Sequence, residues 1–259
     1  MRALAVDRDV IVVVSAIWQT TCTVIRAADE GFVIDSPILP DELETLPSLT
    51  QQAGFPVSGL LATHGDWDHL LGRLAFPDAT LGVGEPTAER LAAEPGEAQR
   101  RLRAFDDVHY VVARPPLGLA GVQALPVPGR LEVGEGGSEV ELHPAVGHTD
   151  DGTLFWLPWC SVLVCGDYLS PVEIPMVSER GSASAYLSTL ERLRGFVEQA
   201  KTVVPGHGRP LTAQDAKRVL EEDVAYVEGL LEQADAKLPE GRRSPEQRRI
   251  HGRNLASLG

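Results

Sequence analysis

The stretch THGDWDHLLG, residues 63–72, places two histidines and two aspartates within six positions, directly after an apolar run. The whole chain has only seven histidines. Imidazole nitrogens and carboxylate oxygens offered this close together suit zinc, iron or manganese. A polar surface loop would contain the same residue types, so the rest of the chain must decide. Three more polar residues repeat the pattern. His148 in VGHTDDG, Asp167 in LVCGDYLS and His207 in VVPGHG each follow a short apolar run, with glycine close by. Glycine lets a loop turn sharply and bring a side chain inward.

The elements that must position these residues are short. VIVVVSAIW (10–18), TCTVIRA and GFVIDS are β-branched and separated by turn residues, which predicts strands. PDELETLPSLTQQAG predicts a helix, with Pro40 near its start and Gly54 past its end. VSGLLAT is the next strand, and it delivers the chain into His64. From 85 to about 106 the pattern is helical, broken at Pro95-Gly96. VHYVVA reads as a strand carrying His109. LEVGEGGSEVELHPAVG reads as a hairpin, followed by strands GTLFWL and SVLVCGD. Leu187, Leu190, Leu193 and Phe196 recur at helical spacing. After TVVPGHG, Thr212 and Asp215 mark another helix start, with a stripe of Val219, Leu220, Val224, Val227 and Leu231. Ser244-Pro245-Glu246-Gln247 caps a last helix. Interleaved helices with many hairpin-connected strands predict two sheets with helices outside.

Four motifs now stand in order: HGDWDH, GHT, GD and PGHG. This set resembles the metallo-β-lactamase superfamily, whose first motif is His-x-His-x-Asp-His, over roughly residues 10–210. The resemblance implies an α+β fold, an αββα sandwich, over residues 1–210. Residues 211–259 would add C-terminal helices packed on the same domain. It implies two divalent metal ions: His64, Asp66 and His148 on the first, Asp68, His69 and His207 on the second, and Asp167 bridging them. A water between the two ions would supply the nucleophile, and Asp68 would orient it or carry its proton. Zinc is the expected metal, with iron or manganese as alternatives.

Asp66 departs from the pattern, because the superfamily usually has histidine there. An anionic oxygen donor makes the first site harder and favours iron or manganese somewhat. Flavodiiron proteins also place a carboxylate there, but they carry a flavodoxin domain that the helical residues after 210 do not resemble. The expected activity is hydrolysis of an ester, thioester or lactone. A phosphodiesterase and a di-iron redox or oxygen-binding protein are the alternatives.

Composition bounds the partners. The formal net charge of −14 disfavours nucleic acid. The start MRALAVDRDVIVVVSAIW lacks a signal-peptide pattern, and no apolar stretch approaches the ~20 residues of a membrane span, so a cytoplasmic, small-molecule enzyme is expected. Its oligomeric state is left open. Cys160 and Cys165 lie five apart across a strand and point to opposite faces, as small buried hydrophobes rather than chelators. His109 and His143 read as structural, and Trp67 as packing beneath the metal loop. Tyr168 faces either the cleft or the core. The segment 168–183 and the helices after 210 are expected to shape the pocket, with His251 or Asn254 as residues that could reach its mouth.

Overall fold

The computed structural model of the chain describes residues 1–232 and 236–257. The first sheet is seven strands in sequence order: β1 (Arg2–Asp7), β2 (Val10–Val14), β3 (Thr21–Ala27), β4 (Glu30–Asp35), β5 (Gly59–Ala62), β6 (Thr80–Gly84) and β7 (Gln123–Leu125). Pairing is antiparallel through β4 and parallel from β4 to β7. The second sheet runs β13 (Leu211–Thr212), β12 (Thr202–Val204), β11 (Val162–Val164), β10 (Thr153–Leu157), β9 (Ser138–Pro144) and β8 (Gly129–Val133).

Three apolar layers explain the stacking. Val12, Ile25, Ile34 and Leu61 of the first sheet meet Leu142, Phe155, Val162 and Val204 of the second. Strands buried on both faces read as unbroken apolar runs, as VIVVV and TLFWL do. On the outer face of the first sheet lie α1 (Pro40–Gln52), the short α2 (Gly72–Ala75) and α4 (Glu97–His109), held by Leu46, Leu60, Leu71 and Leu102. On the outer face of the second lie α5 (Ala183–Gln199), α6 (Ala213–Leu231) and α7 (Pro245–Ala256), held by Leu163, Leu190, Val227 and Ile250. Helix α3 (Glu85–Ala93) follows β6. The result is the αββα sandwich. Each fully buried Leu, Ile or Phe contributes roughly 1.5–3 kcal/mol. Among the described residues no helix is long and apolar enough to cross a membrane.

Helix starts follow the caps. The Oγ of Ser182, Thr212 and Ser244 accepts from the backbone N–H of Ala185, Asp215 and Gln247. Cys165 packs in the outer layer and Cys160 in the layer between the sheets, so the two thiols do face opposite ways.

Two expectations need correction. Residues 108–113 are not a strand: α4 runs through His109 and ends on Tyr110, whose φ is 55°. The alternating pattern of VHYVVA belongs to a helix end and a loop, where Val108, Tyr110 and Val112 are exposed. His109 stacks on Phe105 and its Nδ1 lies 2.9 Å from the Phe105 carbonyl, a contact one helical turn long. In α6, Leu231 is exposed and Leu230 closes the stripe instead, at the three-residue step from Val227.

One glycine fixes how the second sheet reaches the candidate ligands. Gly147 has φ of 135°, and a Cβ there would lie 2.3 Å from the backbone of Tyr186. Gly147→Ala therefore has to push α5 off the loop or strain the backbone. We expect it to cost about 2 kcal/mol or more in urea unfolding of the metal-free protein. Stability equal to that of the parent would show that the loop gives way freely.

Candidate metal centre

The candidate residues converge at one edge of the two sheets. The end of β4 supplies Asp35, the end of β5 supplies His64, and a 3-10 turn over Trp67–His69 supplies Asp68 and His69. His148 follows β9, Asp167 follows β11, and His207 follows β12. Backbone bonds stitch the sheets together here: Thr153 N–H donates to the Thr63 carbonyl, and Thr21 N–H to the Gly206 carbonyl. A Cβ on Gly206 would lie 2.2 Å from Asp167 Oδ1, so the PGHG glycine makes room for that carboxylate.

Asp167 sits at the centre. Its Oδ2 lies 3.3 Å from His148 Nε2 and 3.8 Å from His64 Nε2. Its Oδ1 lies 3.2 Å from His69 Nε2 and 3.5 Å from His207 Nε2. Asp68 Oδ2 completes the second group, 3.7 Å from His69 Nε2 and 3.6 Å from His207 Nε2. Asp66 Oδ2 stands 3.7 Å from His64 Nε2 and 3.5 Å from His148 Nε2. All seven sequence-predicted residues are thus brought together. Two compact donor groups result: His64, His148 and Asp167, and Asp68, His69 and His207.

The donors fit cations. Nε2 of His64, His69 and His148 and Oδ1 of Asp167 are buried without a hydrogen-bond partner, an arrangement rare unless an ion or water is bound. Four donors about 2.1 Å from a tetrahedral ion stand about 3.4 Å apart, close to the separations found here. The ring nitrogens facing away from the cluster are held from behind. His64 Nδ1 is 3.0 Å from Thr63 Oγ1, His148 Nδ1 is 2.8 Å from the Met176 carbonyl, and His207 Nδ1 is 3.1 Å from the Trp18 carbonyl. His69 Nδ1 lies 3.1 Å from Asp35 Oδ2, an ion-pair contact outside hydrogen-bond geometry. Such outer contacts fix ring orientation and tautomer.

Several of these supports are not visible as motifs. Asp35 is the last residue of β4, and this strand-end carboxylate, like Asp167 shortly after β11, is the signal that could have found it. It also accepts from the Thr63 N–H and hydroxyl. Arg90, on α3, is buried, and its Nη2 reaches Asp66 Oδ1 at 2.6 Å while its Nη1 reaches Asp151 Oδ1 at 2.9 Å. Asp151 is the second aspartate of GHTDDG, and its Oδ2 accepts from Gly65 N–H. Glu173 lines a cleft beside His148 and Asp167, and burial raises its carboxyl above the ordinary value.

The remaining singled-out residues are structural. Tyr168 is buried; its hydroxyl donates to the Ala145 carbonyl and accepts from His148 N–H, so it braces the loop rather than facing the cleft. Trp67 packs against Phe105 and Trp18. His143 packs on Phe196, and His251 Nδ1 meets the Tyr226 hydroxyl. A groove of about 800 Å³ opens beside Asp66, lined by Arg90, Glu94, Met176, Arg180 and Arg253 among others. The segment 168–183 and the last helix do shape it.

Known proteins share this architecture. A family model described as the metallo-β-lactamase superfamily matches residues 16–207. A metallo-β-lactamase type 2 from Pseudomonas aeruginosa is 23% identical over 201 residues, covering 77% of this chain and 72% of that protein. A metallo-β-lactamase family protein from Thermus thermophilus superposes with a TM-score of 0.67 at 20% identity, covering 88% of this chain and 82% of its own. A structure solved in a di-iron-bound form gives a TM-score of 0.62 at 23% identity, covering 80% of this chain and 97% of its own.

Without cations, the cluster balances its charges internally. Burial opposes ionising Asp167, yet His207, His69, His148 and His64 hold its carboxyl well below the usual range. Burial opposes a proton on His148, but Asp167 and Asp66 raise it to about 9. Against the same burial, Glu173 and Asp167 raise His207 to about 10. Burial opposes a proton on His69 too, yet Asp167, Asp35 and Asp68 hold that ring well above its ordinary value, so all three rings carry a proton at pH 7 in the metal-free protein. A cation needs them neutral, so each bound proton competes with it. Uptake at pH 7 should release about three protons per chain, one from each of His69, His148 and His207, and affinity should fall as pH is lowered from 9. Calorimetry in buffers of different ionisation enthalpy measures the release. Uptake without proton release would contradict the charge state described.

Proposed function

The chain belongs to the metallo-β-lactamase superfamily, a family of metal-dependent hydrolases, and from that membership we propose a dinuclear enzyme that cleaves an ester, thioester or lactone. One observation carries the two-ion reading: the two oxygens of Asp167 face two separate donor groups. His64, Asp66 and His148 would hold the first ion, Asp68, His69 and His207 the second, with Asp167 shared. Two such cations supply a polarised substrate carbonyl and a water acidic enough to ionise near neutral pH.

The chain's own residues do the rest. Asp68, itself a member of the second group, would orient the attacking water or accept its proton. The groove beside Asp66 seats the acyl or alcohol portion of a small molecule. Trp67, Leu70 and Leu71 are buried in the apolar layer on the outer face of the first sheet and anchor the loop that carries Asp68 and His69.

Zinc is the first choice for the metal, since four of the seven donors are imidazoles. Iron or manganese is the second reading. Three carboxylates in the set favour it, and a structural neighbour in a di-iron-bound form supports it. A phosphodiester would be bound by the same cations and is the alternative substrate class.

Metal analysis joined to a screen of esters, thioesters, lactones and phosphodiesters tests this. We expect about two ions per chain and hydrolysis abolished by chelation. Protein that takes up no metal on reconstitution would overturn the reading. Asp167→Asn should lower the content of both ions and cut kcat at least ~100-fold. If metal content and kcat were unchanged, Asp167 would not bridge.

Asp66→His restores the commoner residue. If Asp66 Oδ2 holds the first ion, this change keeps two ions bound and shifts selectivity toward zinc in competition with iron or manganese. Unchanged selectivity would remove Asp66 from the donor set.

A further inference from the structure

The C-terminal helix α7 and the turn before it carry three polar side chains with almost no solvent exposure: Arg242, Gln247 and Asn254. Buried polar groups of this size need partners, and all three find them on one segment, residues 170–177. Arg242 Nη1 donates to the carbonyls of Ser170 and Glu173. Gln247 Oε1 accepts from Ile174 N–H at 2.7 Å. Asn254 Nδ2 donates to the Pro175 carbonyl at 2.7 Å, and its Oδ1 accepts from Val177 N–H at 3.0 Å. A single carboxamide thus clamps the backbone on both sides of Met176.

The clamped segment touches the metal centre at both ends. The Met176 carbonyl is the group 2.8 Å from His148 Nδ1. At the other end, Ser170 Oγ donates to the His207 carbonyl at 2.8 Å. The sequence between is short and has no helix or strand of its own. Its position is therefore set by what holds it, and the C-terminal side chains supply much of that.

We infer that Asn254 is a positioning residue for the first metal site, acting through the Met176 carbonyl on His148, and that Arg242 plays the matching part for the second site through Ser170 and His207. The inference rests on the two-ion reading above. The C-terminal extension on this account is part of the metal centre's outer support, not only a cover for the second sheet. Tyr226 joins the same network, since its hydroxyl accepts from Asn254 Nδ2 and meets His251 Nδ1.

The test measures zinc affinity site by site. A His207→Ala background reports the first site, and a His64→Ala background reports the second. Asn254→Ala should weaken the first site about 10-fold or more while leaving the second within about twofold, the size of effect expected for an outer hydrogen-bond partner. Arg242→Lys, which keeps a cation beside Asp223, should show the reverse. Ile250→Ala loosens the same helix through its apolar contact and should change neither site. Equal loss at both sites in Asn254→Ala, or no loss at either, would overturn the inference.

Amide exchange and the His148 imidazole N–H signal, both read in the metal-free protein, keep the test independent of the two-ion reading. Asn254→Ala should speed exchange at Val177 and remove the protected Nδ1–H signal, and Ile250→Ala should do neither. Unchanged signals in Asn254→Ala would sink the inference whatever the metals do. If the two backgrounds fail to bind one ion each, the two-ion reading fails, and these signals still decide the role of Asn254.

Discussion

The structure is organised around one buried carboxylate. Asp167 has four imidazoles within 3.8 Å of its oxygens. A carboxylate removed from water is costly unless paired and hydrogen-bonded. Here the four partners come from three separate loops of the chain, and each has to arrive within a few ångströms. Strand ends can do this, because a sheet fixes the direction and height at which each loop departs. Gly206 then gives Asp167 room, and Gly147 lets the His148 loop lie against α5. The backbone bonds from Thr153 to Thr63 and from Thr21 to Gly206 tie the two sheets where the charges gather. The two sheets are thus joined by backbone bonds at the same edge where the charged side chains gather.

That logic explains what is legible in the sequence. The seven donor-bearing residues can be found because the chemistry needs unusual residue types at strand ends, and apolar runs mark strand ends well. The layered fold is readable for a related reason, since doubly buried strands have to be apolar throughout. The stretch 108–113 misleads because VHYVVA alternates like a strand. Local alternation records only residue types; no neighbouring strand takes up that backbone, and its large side chains face solvent. Leu231 joins the expected stripe for a similar reason: periodicity allows a step of three or four, and only packing chooses between them.

The outer supports are illegible for a different reason. Arg90 meets Asp66 across 24 positions, and Asn254 meets Val177 across 77. No local pattern announces a partner that far away. An arginine on a polar helix and an asparagine near a chain end look like ordinary surface residues. Only burial separates them from their neighbours: Asn254 is fully buried, whereas Arg253 beside it lies open to solvent. The C-terminal helix carries five arginines in and before it, and the one that matters most to the centre, Arg242, is the one hidden from water.

The Asp66–Arg90 pair bears on the one departure from the family motif. Histidine enters a metal site as a neutral donor, so aspartate in its place adds a negative charge. Arg90 returns a positive charge to the same spot through Asp66 Oδ1 at 2.6 Å and leaves Oδ2 turned toward His64 and His148. Arg90 offsets the added charge only in part, because the same guanidinium also pairs with Asp151, and the donor atom has changed from nitrogen to oxygen. The expectation of a harder donor therefore stands, and the guanidinium tempers the added negative charge without cancelling it. Arg90 is itself anchored by Asp151, whose other oxygen accepts from Gly65 N–H one residue before Asp66. A lysine could not span both carboxylates, because it lacks the planar fork that gives each one its own nitrogen. The substitution at position 66 is thus a three-residue arrangement of Asp66, Arg90 and Asp151, and replacing Asp66 alone leaves a buried guanidinium with only part of its partner set.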